Sequence, residues 1–214
     1  MVNVRAFFEK GDSVKFISHL DLNRCFQRAI KRSGLPVWYS EGFNPHPYIV
    51  FSPPLSLGYI GLNEIIDFRL NNEIDLEQVK DRLNASLPLG LRISKVIEPK
   101  LKLSDTAFAE YRVKAIGDIS LECLENLKNL PEIKVIKKSK KTQTELDLKP
   151  IFDDIHFEKR ENGFIFNVIL PSDGTLSINP SLIIEAIKNY ANKEINLLKV
   201  KRIKFLDKDK NDFA

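Results

Sequence analysis

Residues 18–36 of the chain read Ser-His-Leu-Asp-Leu-Asn-Arg-Cys-Phe-Gln-Arg-Ala-Ile-Lys-Arg-Ser-Gly-Leu-Pro. Ser18 has the features of an N-cap, and Asp21 three residues later completes a pair that resembles a capping box. Gly34 and Pro36 are typical of the end of a helix. The apolar residues between these ends recur at helical spacing: Leu22, Phe26, Ala29 and Ile30. The stretch therefore predicts an amphipathic helix over 19–32 that buries one face in a core.

The segments on either side of this helix predict the rest of the fold. In the first half we expect strands at 4–9, 14–17, 37–39, 48–51, 64–70 and 91–97, and a second helix at 76–87. In the second half we expect strands at 111–116, 133–136, 164–170 and 197–205, and helices at 121–130 and 180–190; residues 146–157 are ambiguous.

Each half thus has the order strand, helix, strand, strand, helix, strand, which is the split βαβ pattern. The prediction is an α+β protein with two ferredoxin-like (βαββαβ) subdomains in tandem, and antiparallel sheets with helices on one face. The subdomains would occupy residues 1–100 and 101–214, joined near residues 98–104.

The composition describes an ordinary globular protein. Of its 214 residues 43% are apolar, and the formal net charge of +4 permits a polyanionic partner without requiring one. Cys25 and Cys123 are far apart in a lysine-rich chain, which favours a reducing cytoplasm. The strand pattern begins at once and leaves no room for a signal peptide, and no apolar run is long enough to span a membrane. No spacing typical of zinc ligands or of an iron–sulfur centre occurs, so no metal or cofactor is expected.

The predicted first helix carries a basic stripe opposite its apolar face, with Arg24, Arg28, Lys31 and Arg32 spaced by four, three and one residues. Lys15 precedes it, and its N-terminal N–H groups lie at Ser18 and His19. This arrangement suits phosphate, although a solvated helix face has the same pattern. Two further basic clusters add modest support for nucleic acid: Lys134, Lys137, Lys138, Lys140 and Lys141, and then Lys199, Lys201, Arg202 and Lys204.

Residues 39–58 are rich in proline and aromatic residues and carry a single charge, Glu41. Each proline fixes its own φ and keeps the preceding residue extended, so 44–47, Asn-Pro-His-Pro, is a stiff element. Phe43 is the best candidate to stack on a base, with Asn44 and His46 beside it. His19 and His46 are candidate proton-transfer residues, and a structural role for both is an equal alternative.

These motifs resemble a known family. Residues 15–22, Lys-Phe-Ile-Ser-His-Leu-Asp-Leu, residues 39–47, Tyr-Ser-Glu-Gly-Phe-Asn-Pro-His-Pro, and residues 52–55, Ser-Pro-Pro-Leu, resemble the uncharacterised bacterial domain family DUF2344. The resemblance extends over nearly the whole chain. It implies a radical SAM protein as partner, because such domains occur fused to, or encoded beside, radical SAM proteins. The chain itself resembles the standalone form.

Three hypotheses follow for the function. The first is an RNA-binding accessory protein, not itself an enzyme, that presents tRNA or rRNA to a radical SAM enzyme. Its RNA-contacting residues would be Lys15, Ser18, His19, Arg24, Arg28, Glu41, Phe43, Asn44 and His46. The second is a metal-independent RNA-processing enzyme in which His19 and His46 exchange protons. The third is a docking module for the radical SAM protein that uses the low-charge stretch 33–63.

Overall fold

The computed structural model describes residues 1–138, 143–173 and 177–213. It has α+β architecture with a mostly antiparallel sheet, which confirms the predicted fold class at that level. The described helices and strands are β1 (Val2–Lys10), α1 (His19–Arg32), β2 (Ile49–Phe51), β3 (Ile60–Leu70), α2 (Leu76–Ser86), β4 (Leu91–Ile97), β5 (Phe108–Ile116), α3 (Leu121–Asn126), β6 (Lys134–Lys138), β7 (Gln143–Asp147), α4 (Lys149–Asp153), β8 (His156–Arg160), β9 (Gly163–Pro171), α5 (Pro180–Ala191) and β10 (Asn196–Leu206).

The chain divides into two compact units. Unit 1 comprises Met1–Ala107 and Arg202–Ala214, and unit 2 comprises Phe108–Lys201. This division differs from the expected ranges 1–100 and 101–214, because the end of β10 returns to unit 1. Two contacts hold it there: Asn63 donates from Nδ2 to the Ile203 carbonyl at 3.1 Å, and Arg202 pairs with Glu64.

The sheet of unit 1 places β1 between β4 and β3, with β2 on the other side of β3, and all three pairs are antiparallel. Alternation along the strands directs Val4, Ala6, Phe8, Ile66 and Phe68 to one face. Both helices cover this face, and their buried residues join the same core: Leu22, Phe26 and Ile30 of α1, and Val79 and Leu83 of α2.

The two helices of unit 1 form where their caps and apolar spacing predict them. Ser18 Oγ accepts a hydrogen bond from the Asp21 N–H at 3.1 Å, and the Asp75 carboxylate accepts one from Gln78 N–H at 3.3 Å. The predicted bounds of α1 are confirmed, as is the burial of its apolar face.

The sheet of unit 2 has the order β10-β5-β9-β8, and the pairs β5–β9 and β8–β9 are antiparallel. The hairpin β6–β7 forms a separate two-stranded sheet. It is fixed to α5 by Tyr190, whose hydroxyl accepts a hydrogen bond from Lys134 N–H at 2.9 Å. The buried residues of unit 2 include Leu124, Phe152, Phe164, Phe166 and Ile183.

Three expectations from the sequence are wrong in detail. Residues 14–17 are not a strand, because Asp12–Val14 is a 3-10 turn. The Lys15 carbonyl accepts hydrogen bonds from the Lys10 ammonium and from Gly58 N–H. Residues 37–39 form only isolated bridges, Val37 with Leu70 and Tyr39 with Pro47.

The third concerns unit 2. The strand expected at 133–136 is present as β6, but it pairs with β7 in the separate hairpin. The strand beside β9 is β8, which overlaps the ambiguous segment 146–157 only at residues 156 and 157, and no strand was expected at 158–160.

Candidate functional site

Buried charged side chains of unit 1 form hydrogen bonds with the backbone of two of the sequence motifs, residues 15–22 and 52–55. Arg202 donates from Nε to Glu64 Oε1 at 2.8 Å and from Nη2 to the other carboxylate oxygen, and both side chains are almost fully buried. The same Nη2 donates to the Pro53 carbonyl at 2.8 Å, while Ser52 Oγ accepts from Ile65 N–H. Arg202, which is distant in sequence, therefore fixes the position of segment 52–55 from inside unit 1.

Lys10 fixes the other motif segment. Lys10 is 2% exposed, and its ammonium donates a hydrogen bond to the Lys15 carbonyl at 3.0 Å. Gly58 N–H donates to the same oxygen at 2.9 Å. Burial lowers the pKa of Lys10 from its ordinary value, and Glu64 nearby partly offsets this effect. These bonds position the chain that leads into α1.

The N-terminus of α1 already holds a carboxylate. The Ser18 hydroxyl donates to Asp21 Oδ2 at 2.7 Å, and Arg24 contacts Asp21 Oδ1 at 3.2 Å. The Ser18 hydrogen bond, followed by that from Arg24, lowers the pKa of Asp21. An anionic side chain at this position interacts favourably with the positive end of the helix dipole. Ser18 therefore acts as the helix cap, and the N–H groups around it are less accessible to a phosphate than the sequence implied.

The basic stripe of α1 consists of Arg24, Arg28 and Lys31, which lie on one side of the helix at i, i+4 and i+7. All three are exposed. Arg32, four residues after Arg28, is at the end of the same side and is engaged by a hydrogen bond that it donates to the Ser86 carbonyl at 2.6 Å. Lys15 lies before the helix, where it pairs with Asp12 at 3.0 Å and is only partly exposed.

The loop between Tyr39 and Pro47 is closed at its base and braced from within. Ser40 N–H donates to the His46 carbonyl at 2.9 Å, and His46 N–H donates back to Ser40 Oγ at 3.2 Å. His46 Nδ1 lies 3.1 Å from both Ser40 Oγ and the Asn44 carbonyl. Because a carbonyl can only accept, this contact places a proton on Nδ1, and in the neutral ring Nε2 is then the acceptor.

The tip of this loop projects into solvent. Phe43 is fully exposed, and Glu41, Asn44 and His46 are exposed as well. Gly42 has φ +121°, a backbone conformation that side-chain-bearing residues rarely adopt. A rigid loop that presents a fully exposed phenyl ring beside amide and imidazole groups is suited to stacking on a flat ligand.

The structure brings the loop and the end of the basic stripe together. The Lys31 ammonium lies 5.9 Å from the centre of the Tyr39 ring at the loop base. Tyr39 bridges to Pro47 across that base. One surface of unit 1 therefore runs from Arg24 along α1 to the loop.

The two candidate catalytic histidines have different surroundings. His19 packs its ring edge-on against Phe51, with 5.5 Å between centroids, at the first residue of α1. The loop that holds His46 contacts α1 at Lys31, about 18 Å further along the helix at 1.5 Å per residue. No contact joins the two imidazoles within the described part of the chain, so nothing here favours proton exchange between them.

The structure also shows residues that the sequence analysis missed or misjudged. Arg202 belongs to a basic cluster that the sequence analysis took as modest support for nucleic acid, but it is 1% exposed and bound to Glu64. Lys10 and Arg69 were not singled out at all. In the second basic cluster Lys134 pairs with Glu132 and Glu145, while Lys140 and Lys141 lie outside the described residues. An exposed basic residue and one buried in an ion pair differ in their long-range partners, and the local sequence pattern does not reveal those partners.

Within the described ranges, no group of three or more His, Cys, Asp or Glu side chains is arranged to hold a metal ion. Among the helices of those ranges, none has the length and apolar character needed to cross a membrane.

A comparison with curated proteins finds no match. The chain does match a protein family, described as uncharacterized proteins conserved in bacteria (DUF2344), over residues 3–180. That range includes α1 and the closed loop, which form the surface described above, as well as the 52–55 segment. The protein is thus a member of this uncharacterised bacterial family.

Proposed function

We propose that this protein binds RNA through the surface of unit 1 that joins the basic stripe of α1 to the closed loop 39–47. The observation that carries the proposal is the contact between Lys31 and Tyr39, because it makes the stripe and the loop one continuous surface. Cations that follow the phosphates and an exposed ring that stacks on a base are the two components of sequence-tolerant binding to single strands.

Each group has a defined part in this proposal. Arg24, Arg28 and Lys31 contact phosphates, and Phe43 stacks on an unpaired base. Asn44 and the free Nε2 of His46 hydrogen-bond to base edges beside it. Lys15, which precedes α1, is a further phosphate contact in this proposal. His19 lies at helical spacing with the apolar residue Leu22 and packs against Phe51, so its imidazole would meet RNA only at the helix N-terminus, where Ser18 serves as the cap.

The direct test is salt-dependent binding. Fluorescence polarisation with end-labelled bulk cellular RNA measures the affinity from 50 to 300 mM salt. We compare the wild type with the Arg24→Gln/Arg28→Gln/Lys31→Gln variant. If all three cations neutralise phosphates, the slope of log K against log salt falls by about 2, at about 0.7 per single-strand contact.

A variant of unit 2, Arg112→Gln/Lys114→Gln/Lys193→Gln, removes the same number of exposed charges and serves as the matched control. It should keep the wild-type slope. Absence of RNA binding by the wild type at 50 mM salt would remove the proposal altogether.

We further propose that the RNA is presented to a radical SAM enzyme that modifies it, and that the protein acts in the cytoplasm as a non-catalytic partner. The sequence resemblance supports the partner, and the free thiols Cys25 and Cys123 suit a reducing compartment. Identification of a radical SAM protein among the proteins that co-purify with the tagged chain, before and after ribonuclease treatment, tests whether RNA or direct contact joins them. Absence of that protein from both preparations contradicts the partnership.

We also infer that both units are ferredoxin-like. In unit 1 the order of elements β1-α1-β2-β3-α2-β4 and the sheet order β4-β1-β3-β2 support this. In unit 2 the sheet order β10-β5-β9-β8 has the same form when β6, β7 and α4 are treated as an insertion between α3 and β8. Cross-strand nuclear Overhauser effects between β10 and β5 and between β9 and β8 in solution test this sheet order. Their absence would contradict the inference.

A further inference from the structure

A groove lies on the second face of the unit 1 sheet, opposite the helices. Phe68 of β3 points into the core with α1 and α2, so its neighbours Asp67 and Arg69 point to the other face. The segment 99–104 closes the groove against β1, β2 and β3. Its volume is about 470 Å³, within the range of pockets that hold small organic ligands. No motif of the sequence drew attention to it.

The groove is electropositive. Among its lining residues are three cations, Arg69, Lys100 and Lys102, and one carboxylate, Asp67. Arg5 neutralises that carboxylate through two hydrogen bonds of 2.8 Å, and Arg5 itself is fully buried. Within the described residues, none of the three lining cations forms an ion pair. Their charge is available to an anionic ligand.

One wall of the groove carries a flat stacking surface. The Arg69 guanidinium lies 4.8 Å from the centre of the Tyr48 ring and 5.7 Å from that of Trp38. The two rings are 5.5 Å apart and meet edge to face, and Trp38 N–H donates to the Arg69 carbonyl at 2.8 Å. A planar guanidinium held over an aromatic ring presents a platform on which a nucleobase can stack.

We propose that this groove binds one nucleotide, with its phosphate at Lys100 and Lys102 and its base against Arg69 and Tyr48. Asn3 and Ser104, which also line the groove, supply hydrogen-bonding groups to the sugar or base. The inference rests on the proposed RNA binding, because Tyr48 directly follows the closed loop 39–47 and Tyr48 N–H donates to the Trp38 carbonyl at 3.1 Å. A strand that stacks on Phe43 would continue past the loop base into the groove.

The same chemistry could belong to a unit of an RNA strand or to a free nucleotide, and the experiment separates these sources. Fluorescein-labelled U12 RNA reports strand binding, and isothermal titration with AMP and UMP reports free nucleotide. The first variant is Lys100→Gln/Lys102→Gln, which removes two charges. The second is Arg69→Lys, which keeps the charge but removes the planar guanidinium. The matched control is Lys95→Gln/Lys114→Gln, two exposed lysines outside the groove.

We expect Lys100→Gln/Lys102→Gln to weaken U12 binding at least ten-fold, Arg69→Lys to weaken it several-fold, and the control to leave it unchanged. Ultraviolet crosslinking should attach the RNA to the peptide that contains Tyr48. Binding of AMP or UMP that the groove variants abolish, with U12 binding unaffected, identifies the ligand as a free nucleotide.

Wild-type binding of U12 by both groove variants, together with no binding of AMP or UMP, overturns the nucleotide site. That result leaves RNA binding intact if the α1 stripe variant still weakens it. Loss of RNA binding by the stripe variant alone therefore separates failure of the groove from failure of the proposed function. The exposed Lys100 and Lys102 keep the test valid even if Arg69→Lys lowers stability.

Discussion

Arg202 and Glu64 form a buried, bidentate ion pair across 138 positions of sequence. The pair joins the end of β10 to β3 inside unit 1, and the Arg202 guanidinium also lies 4.3 Å from the centre of the Phe205 ring. Breaking such a pair leaves one buried charge uncompensated, which typically costs about 3–5 kcal/mol.

We therefore expect Glu64→Ala to lower the free energy of unfolding by about 3–5 kcal/mol, measured by urea denaturation. The double variant Glu64→Leu/Arg202→Met removes both charges and should recover most of that loss, because no buried charge remains unpaired. A double variant as unstable as the single one would show that the hydrogen bond from Arg202 to the Pro53 carbonyl matters more than charge balance.

Gly61 should not tolerate a side chain, because a Cβ there would lie 2.4 Å from Glu64 Cγ and 2.5 Å from Oε1. Gly61→Ala must displace the carboxylate from Arg202, and we expect a loss of about 1–3 kcal/mol in urea denaturation. The nearby exposed Asn72→Ala substitution is the control and should change stability by less than about 0.5 kcal/mol. Equal stabilities for Gly61→Ala and the wild type would mean that the ion pair has room to move.

Acid should destabilise the protein through three aspartates, two of them exposed (Asp21 and Asp147) and one partly buried (Asp207). Hydrogen bonds lower the folded-state pKa of Asp21, mainly from Ser18, of Asp147, mainly from Ile133 N–H, and of Asp207, mainly from Asn211 N–H. A depressed pKa contributes stability that is present above the unfolded value of 3.8 and is lost as pH falls through the folded value.

Unfolding between pH 5 and pH 2 should thus show a decline in stability that Asp207→Asn makes shallower, since asparagine keeps the shape without ionising. Thermal denaturation monitored by circular dichroism at several pH values measures this decline. Asp105→Asn, at an exposed aspartate outside the three, is the comparison. An identical pH dependence for Asp207→Asn and the wild type would contradict the assignment.

His46 should carry its proton on Nδ1 in the neutral form of the ring, because the Asn44 carbonyl only accepts. Long-range nitrogen–proton correlation spectra of the labelled protein distinguish the two tautomers directly. Ser40→Ala removes two contacts of the brace and should broaden the His46 signals, while His156 serves as an internal reference. A neutral ring protonated on Nε2 would exclude the proposed acceptor role of that atom.

Phe43→Ala should weaken RNA binding by about 1–3 kcal/mol, the usual contribution of one stacked base, and leave the salt slope unchanged. The residue is fully exposed, so the free energy of unfolding should stay within about 0.5 kcal/mol of the wild type. Leu89→Ala removes another almost fully exposed apolar side chain and is the matched control. RNA affinity that is equal in Phe43→Ala and the wild type would remove the ring from the interface.

The parts of the fold that could be predicted are those set by neighbours in sequence. The bounds of α1 follow from Ser18, from the apolar spacing, and from the glycine and proline beyond it, and the structure agrees. The strand predicted at 14–17 is wrong because the conformation of this segment depends on hydrogen bonds from Lys10 and Gly58 to the Lys15 carbonyl. No local pattern reveals these bonds. β8 was missed because its alternation is weak: Phe157 alone is buried among five residues.

The same distinction applies to the candidate site. The stripe of α1 and the stiffness of the closed loop are local properties, and they could be predicted from spacing and proline content. The partners of Glu64 and Asp67 could not, because Arg202 and Arg5 are respectively 138 and 62 residues away. A basic residue in a strand looks the same whether it meets water or a buried carboxylate.

The return of β10 to unit 1 has a consequence for synthesis on the ribosome. Glu64 emerges 138 residues before Arg202, which at about 5–20 residues per second is a delay of roughly 7–28 s. During that time Glu64 lacks its bidentate partner, and the Lys10 ammonium is the buried cation beside it. Unit 1 reaches its final stability only after unit 2 has been translated, and in a chain that stops early the Pro53 carbonyl would lack its hydrogen bond from Arg202.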